Sequence, residues 1–224
     1  MDIHGIDYLG IDRVLKRGSG EILYEEDNAL LVKDNISGAY FLACLDASTG
    51  LSVLDKYIDK DCNLLMVSDY NLGTIAFDKY SFAEKIECYQ VAYYGDKPST
   101  DTKLSIRTAT ICDLPTLTKN YHMLSEEELE QIVLRKSILL GYYNDQLVGF
   151  IGEHLEGSMG LLYVFPEYRH RGFGAELQRH LMAKTIDDGF IPFGQVEKDN
   201  LASLNLQKKL GMTISDNLIV WMWK

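Results

Sequence analysis

The chain has 224 residues, of which 46% are hydrophobic, and a net charge of −11. This length can bury one large core or two smaller ones. The negative charge argues against a nucleic-acid binder, because neutralising phosphates needs a basic surface. No apolar stretch approaches the roughly 20 residues that cross a bilayer, and Met1-Asp2-Ile3-His4 has no signal-peptide pattern. We therefore expect a cytoplasmic protein that does not insert into membranes.

The cysteines and histidines do not form a metal-binding pattern. Cys44, Cys62, Cys88 and Cys112 include no CxxC pair, and no histidine cluster accompanies them. An isolated cysteine in an apolar run is usually a small core residue. We therefore expect reduced thiols, no metal and no cysteine nucleophile.

The first part of the chain, residues 1–97, has the pattern of a small α/β domain. Apolar runs and turn residues predict a β-hairpin, two helices and two further strands. These are strands at 29–33 and 39–44, helices at 51–59 and 72–85, and strands at 64–67 and 88–94. No catalytic cluster is visible here. The Pro, Ser, Thr and Asp residues at 97–102 interrupt the pattern and predict a linker.

Over residues 103–224, predicted strands and helices alternate more regularly and over a longer range. Ser125 before three glutamates predicts a helix start, and Asn144-Asp145 between two apolar runs predicts a hairpin turn. The predicted elements are strands at 104–107, 138–143, 147–152 and 160–165, a helix within 112–124, another from 125, and a helix ending near 188. The alternating end Val220–Trp223 predicts a strand with at least one tryptophan in the core, and the other could line the acceptor pocket.

The strand at 160–165 leads into the sequence Arg169-His170-Arg171-Gly172-Phe173-Gly174-Ala175, which opens a helix. Glycines at a helix N-terminus let backbone N–H groups approach an anion, and the helix dipole favours that anion. Arg169 and Arg171 add positive charge. Glycines that only allow close packing are the alternative. A Rossmann GxGxxG with a later acidic residue and a P-loop GxxxxGK[ST] are both absent, so we expect a pyrophosphate site of another kind.

Arg169-x-x-Gly172-x-Gly174 resembles the R/Q-x-x-G-x-G/A signature of the GCN5-related N-acetyltransferases (GNAT). Asn200-Leu201-Ala202-Ser203, followed by a helix that ends in Lys209-Leu210-Gly211-Met212, is similar to the second signature of that family. The resemblance covers about residues 104–223. It implies an α/β fold with a mixed sheet, namely a GNAT acyl-CoA acyltransferase domain at 103–224 with a smaller α/β domain at 1–97.

The resemblance also implies where acetyl-CoA, the co-substrate, would bind. Backbone groups at Tyr163 and Val164 would bond the pantetheine arm, and Asn200 and Ser203 would contact it from the other side. Asn200 has an alternative role as the N-cap of its helix. The pyrophosphate would lie at the helix mouth, whose residues are Arg169, Arg171, Gly172, Phe173, Gly174 and Ala175.

In the mechanism that the family implies, an amine attacks the thioester directly, which requires a base for the ammonium and an acid for the leaving thiolate. The family often has a tyrosine acid seven residues after the asparagine, but here that position is Gln207. Tyr163 or a water could replace it, or nothing could. Glu153 and then His154 are the candidate bases, and surface roles are their alternative. Since side chains alternate along a strand, Glu153 and His154 should not both point into one cleft.

The sequence thus predicts an N-acetyltransferase whose acceptor is a small-molecule amine or a protein or peptide amine. A non-catalytic acyl-CoA-binding regulatory module is the alternative, and a scaffold whose acidic first half recruits a basic partner is a third. Residues 1–97 are vaguely similar to a degenerate second GNAT copy that would help to shape the acceptor site. A homodimer is one option for the assembly, and the acyl-chain preference is open.

Overall fold

The computed structural model describes residues 5–58 and 62–224, which divide into two compact units. The first unit contains the described residues up to Ala92, together with Gln195–Lys208 and Thr213–Lys224. The second contains Tyr93–Gly194 and Lys209–Met212. The opening tetrapeptide and the predicted helix end at Asp59 lie outside the described residues. The domain boundary at residues 97–103 stays a prediction.

The helices and strands follow in chain order. The helices are α1 (Leu9–Lys16), α2 (Ala47–Tyr57), α3 (Tyr70–Lys79), α4 (Leu114–Asn120), α5 (Glu126–Leu134), α6 (Phe173–Asp187) and α7 (Leu201–Lys209). The strands are β1 (Gly20–Glu26), β2 (Ala29–Asp34), β3 (Tyr40–Cys44), β4 (Leu64–Val67), β5 (Glu84–Ala92), β6 (Ser105–Thr108), β7 (Ile138–Tyr143), β8 (Gln146–Glu153), β9 (Met159–Val164), β10 (Phe193–Glu197) and β11 (Thr213–Trp223).

Local sequence signals explain several of these boundaries. The Ser125 side chain caps α5, and the Glu128 side chain closes the capping box. Asn144 and Asp145 have φ angles of 48° and 62°, the left-handed pair that a two-residue hairpin needs. Both predictions are confirmed. The helix predicted at 72–85 is wrong at its end, because α3 stops at Lys79 and Glu84 already begins β5.

The first unit is built on a mixed sheet in the order β1-β2-β3-β4-β11-β5. Strand β11 lies between β4 and β5 and is antiparallel to both. Its side chains alternate between two apolar clusters: Val220 and Met222 pack in one, Ile219 and Trp221 in the other. Because both faces are covered, β11 is a central strand of this core.

The two tryptophans pack against the same cluster. Trp221 is buried and meets Phe41 edge to face, with 5.4 Å between the ring centroids. Trp223, two residues later and therefore on the same face, is partly buried against that cluster. The prediction that at least one tryptophan is a core residue is confirmed, and both have packing roles.

The second unit contains the antiparallel series β6-β7-β8-β9, and β10 begins parallel to β9 with Gly194 opposite Met159. Helices α4 and α5 cover one face, where Phe150 packs among their leucines. Helix α6 covers the other face: a Cβ added to Gly141 would lie 2.8 Å from Leu177 Cδ2. The two faces of β8 and β9 therefore have different neighbours.

A buried ion pair fixes the end of β2 in the first unit. Asp34 accepts hydrogen bonds from the side chains of Arg17, Ser19 and Ser37 and from the Ser37 amide. Burial alone would raise the pKa of Asp34, but these hydrogen bonds and the Arg17 charge lower it below the ordinary 3.8. A lowered carboxyl pKa contributes stability above the ordinary pKa that is lost as the pH falls through the folded value.

We expect Asp34→Asn to lower the free energy of unfolding by roughly 2 kcal/mol near neutral pH, because it removes the buried carboxylate charge that pairs with the largely buried Arg17. The difference in unfolding free energy between the variant and the parent protein should shrink as the pH falls below 3.8. Asp34 of the parent is then protonated, and the parent loses the stability that the ionised carboxylate contributes. Urea unfolding at several pH values measures both effects. The control is Glu25→Gln on an exposed position of β1; a pH-independent difference would contradict this account.

None of the four cysteines, all of them in the described ranges, forms a disulfide, and Cys44, Cys62 and Cys88 are buried. Burial raises the pKa of the Cys44 and Cys88 thiols to about 12, which makes both poor nucleophiles. Across residues 5–58 and 62–224, His, Cys, Asp and Glu side chains nowhere gather in a group of three or more that could hold a metal ion. Within the same ranges, no helix has the length and apolar character of a membrane span.

Candidate functional site

The candidate site is the loop between β9 and α6 in the second unit. After β9, a short 3-10 turn at Pro166–Tyr168 reverses the chain. His170 and Gly172 then adopt left-handed φ angles of 59° and 88°, and α6 begins at Phe173. A non-glycine residue with positive φ is uncommon and often marks a functional constraint.

The start of α6 is open to an anion. The first turn of any helix leaves N–H groups without a partner inside the helix, and here they belong to Phe173, Gly174 and Ala175 because Glu176 donates to the Gly172 carbonyl. A Cβ added to Gly174 would lie 3.7 Å from Val164 Cγ2 and 3.8 Å from Leu162 Cδ2. Gly174 therefore faces β9, so that the helix mouth and this strand form one surface.

Two arginines border this helix mouth. The Arg169 Nε donates to the Val164 carbonyl at 2.9 Å and its guanidinium lies over the Tyr163 ring. The exposed Arg171 guanidinium lies 5.1 Å from the centre of the Phe173 ring and also over Tyr143 and Tyr168. Cation–π contacts position both charges beside the helix N-terminus. The predicted loop residues are thus brought together around one helix N-terminus, and their contact with a diphosphate stays a prediction.

A row of aromatic rings runs along β8 and β9 from this loop. Phe165 meets Tyr163 edge to face, Tyr163 stacks on Phe150, and Tyr121 meets Phe150 edge to face, with centroid distances of 5.4, 5.4 and 6.4 Å. Tyr163 is half-buried in this row, on the face covered by α4 and α5. Its ring packing is established by these contacts, whereas its predicted role as an acid stays a prediction.

Strand β9 contains a β-bulge that the sequence did not indicate. Gly160 pairs with Gly152 and Tyr163 with Phe150, so two residues of β9, Leu161 and Leu162, face one residue of β8. Leu161 has a φ of 52°. A bulge disrupts the ladder locally and bends the strand, and bulges are common beside active sites. Position 161 is a leucine and not a glycine or a proline, so the usual sequence signal for a bulge is missing.

The candidate base Glu153 faces helix α6. Its carboxylate is buried and accepts a hydrogen bond from the Thr185 hydroxyl at 2.8 Å. Thr185 lies in the last turn of α6, about 18 Å along the helix from Phe173 at 1.5 Å per residue. Tyr163 packs on the opposite face of the sheet. The side chains of Glu153 and Tyr163 therefore point to opposite faces of the sheet.

His154 lies beside the bulge. It follows β8 in a turn closed by hydrogen bonds between its backbone and the Ser158 carbonyl and Gly157 amide. A Cβ added to Gly160 would lie 2.2 Å from His154 Nε2, so the imidazole covers the Gly160 backbone. Gly160 immediately precedes Leu161. Of the two predicted bases, His154 is therefore the one that the structure places against the bulged part of β9.

The second signature lies mainly in the first unit. Asn200 accepts a hydrogen bond from the Ser203 amide at 3.0 Å and thus caps α7. The structural role considered for Asn200 is therefore confirmed. Its predicted contact with the co-substrate, and that of Ser203, stay predictions. Gln207, at the position where the family often has a tyrosine, is buried in α7.

Comparison with known proteins identifies the family. Residues 107–212 match the model of the acetyltransferase (GNAT) family. The matched range includes the loop between β9 and α6 and both signatures. This part of the chain is therefore a domain of the GNAT family. A comparison with curated proteins found no match.

Solved structures with the same architecture cover most of the chain. A Drosophila protein superposes with a TM-score of 0.68 at 15% identity, over 88% of this chain and 74% of its own. A GCN5-related N-acetyltransferase-like protein from Streptococcus suis gives 0.58 at 14%, over 96% and 92%. A tandem GNAT protein from the clavulanic acid biosynthesis pathway gives 0.52 at 10%, over 96% and 87%. The predicted mixed α/β fold of the GNAT type is confirmed.

Proposed function

We propose that the protein is an N-acyltransferase that moves an acetyl group, or another short acyl group, from acyl-CoA to an amine. The observation that carries this proposal is the open helix mouth at Phe173–Ala175, bordered by two arginines and facing Val164 of β9. Helix N-termini with such glycines bind phosphate groups. Membership of residues 107–212 in an acetyltransferase family supports the same ligand.

In the proposed complex, the N–H groups at the start of α6 and the Arg171 guanidinium hold the diphosphate. The arm of the co-substrate then runs along β9 toward the bulge at Leu161 and Leu162. Acyl-CoA supplies the thioester as a substrate. The amine nitrogen forms a bond to the acyl carbon, the carbon–sulfur bond breaks, and the chain must remove one proton from the ammonium and deliver one to the thiolate.

His154 is the base that the geometry favours for the ammonium proton. Its imidazole covers Gly160, next to the bulge, and histidine is the side chain that most often acts as a general base in enzymes. Glu153, the other candidate base, has its carboxylate buried against Thr185. In this proposal Glu153 instead positions the end of β8, from which His154 projects.

The acceptor is proposed to be cationic. The protein carries a net charge of −11, and an acidic surface attracts ammonium groups and disfavours polyanions. A small amine and the amine of a protein or peptide both fit this description. The similarity of a tandem GNAT protein over 96% of the chain supports the further proposal that residues 1–97 are a degenerate second GNAT copy.

A second function is a non-catalytic acyl-CoA-binding module. The observation that favours it is Gln207, which stands where many family members have a titratable tyrosine. In that case the loop would bind CoA without turnover. Glutamine neither donates nor accepts a proton in the useful range, so any activity depends on another acid.

Turnover and binding separate these two functions. Acetyl-CoA should stabilise the protein by about 2.7 kcal/mol at a hundredfold excess over Kd, and a panel of small amines and basic peptides should release free thiol in a manner that depends on the amine. Desulfo-CoA should bind without releasing thiol. Stabilisation without turnover on a broad panel would favour the binding module, and no stabilisation would contradict both functions.

A further inference from the structure

The hydroxyl of Tyr121 lies at the bulge of β9, on the face of the sheet covered by α4 and α5. The chain leaves α4 at Asn120, and Tyr121 is extended, which carries its ring to Phe150. The Leu161 amide, at the bulge, donates a hydrogen bond to the Tyr121 hydroxyl oxygen. None of the family signatures includes Tyr121, and the sequence did not single it out.

The charge of a buried carboxylate, Glu156, acts on this hydroxyl. Ser158 and Glu156 are both buried, and the Ser158 hydroxyl donates to the Glu156 carboxylate. Burial and the nearby Glu156 charge raise the pKa of Tyr121, an effect that the Leu161 amide only partly offsets. The phenol is therefore fully protonated near neutral pH and can act as a hydrogen-bond donor.

The aromatic row connects this hydroxyl to the loop that would hold the diphosphate. Starting at Arg169, the row passes through Tyr163 and Phe150 and ends at Tyr121. Leu161 is three residues before Val164 on β9, a span of at most about 10 Å. An acyl-CoA arm that follows β9 from the loop thus brings its thioester end toward the bulge and the Tyr121 hydroxyl.

We propose that Tyr121 is the proton donor to the leaving thiolate. It would take the role of the tyrosine that family members often have at the position of Gln207. The proposal rests on the acyltransferase function proposed above. As the carbon–sulfur bond breaks, the Tyr121 O–H gives its proton to the thiolate sulfur. The resulting phenolate is stabilised by the Leu161 amide and regains a proton by way of solvent from the base that took the ammonium proton. The reaction is thus balanced without a further reactant.

The test compares Tyr121→Phe with the parent protein and with Tyr142→Phe. Phenylalanine keeps the ring contact with Phe150 and removes only the hydroxyl. We expect kcat to fall about 100-fold, the lower end of a general-acid contribution, with an unchanged Kd for acetyl-CoA. Tyr142, whose hydroxyl accepts from Arg107, lies on β7 and should retain full activity as phenylalanine.

Each outcome has a definite meaning. An unchanged kcat in Tyr121→Phe overturns the proposal, and so does a parallel loss of acetyl-CoA affinity, which would show a role in binding or folding. If Tyr121→Phe does not fold, fluorotyrosine at position 121 keeps the hydroxyl but acidifies it, and an unchanged pH profile of kcat would overturn the proposal. A parent protein that binds CoA but turns over no amine refutes the proposed function itself, and with it this one.

Discussion

Gly174→Glu is expected to abolish binding of CoA and acetyl-CoA. The new side chain starts from a Cβ that faces Val164 and Leu162, so its carboxylate would lie at the helix mouth where the diphosphate is proposed to bind. It would also repel the diphosphate and occupy the positive end of the α6 dipole. We expect a loss of affinity of at least about 100-fold, or about 2.7 kcal/mol. Calorimetric titration and thermal-shift titration measure it.

Gly174→Ala is the matched control for this substitution. The added methyl would make contacts of 3.7 and 3.8 Å, which are ordinary van der Waals distances, and alanine is a better helix former than glycine. The variant should therefore fold with unchanged or slightly higher stability and retain most of its affinity. If Gly174→Glu bound CoA as well as Gly174→Ala does, the diphosphate would not lie at this helix mouth.

Gly149→Ala should destabilise the second unit by roughly 3 kcal/mol, the upper part of the usual range for overpacking. A Cβ on Gly149 would lie 2.3 Å from the Tyr163 carbonyl oxygen and 3.1 Å from the Val164 Cα. Both atoms belong to the backbone of β9, which is paired with β8 at this point. Neither atom can move away by changing a rotamer, so the two strands must separate locally.

The effect should appear in stability and in binding together. Urea unfolding measures the loss of stability, and the affinity for acetyl-CoA should also fall, since the displaced segment of β9 leads into the loop. Gly174→Ala is again the appropriate comparison, because it adds the same methyl group at a site with room for it. A Gly149→Ala variant with parental stability would mean that β8 and β9 are not paired in this register.

The loop between β9 and α6 could be located from the sequence because its conformation depends on short-range features. Gly172 supplies a left-handed φ of 88°, and Gly174 leaves the helix mouth open. Both requirements act within a few residues, so a sequence pattern records them. The hairpin at Asn144-Asp145 and the capping box at Ser125 were predicted for the same reason.

The orientation of the catalytic candidates could not be predicted in this way. Whether Glu153 reaches a cleft depends on the register of β8, and its partner Thr185 is 32 residues away in sequence. The bulge at Leu161 shifts the pairing of β9 without a glycine to signal it. Tyr121, at the end of α4, forms its hydrogen bond with Leu161 across a long separation in sequence. Such contacts join distant segments and leave no local pattern.

The helix predicted at 72–85 shows the limit of periodicity. Its apolar positions continue past Lys79, but Ser81 has a φ of 55° and the chain turns there. Residues from Glu84 then pair with β11, which ends the chain more than 120 residues later. Tertiary pairing here overrides the local helical pattern, as it commonly does.

The most direct test of the central claim is a residue-resolved NMR titration of the protein with CoA. If the diphosphate binds at the start of α6, the largest changes in amide chemical shift should fall on Phe173, Gly174 and Ala175, with smaller changes at Val164 and the bulge residue Leu161. Inorganic diphosphate should shift the same three amides and leave Leu161 unchanged. Shifts confined to other parts of the chain, or none at saturating CoA, would contradict the assignment of this loop as the acyl-CoA site.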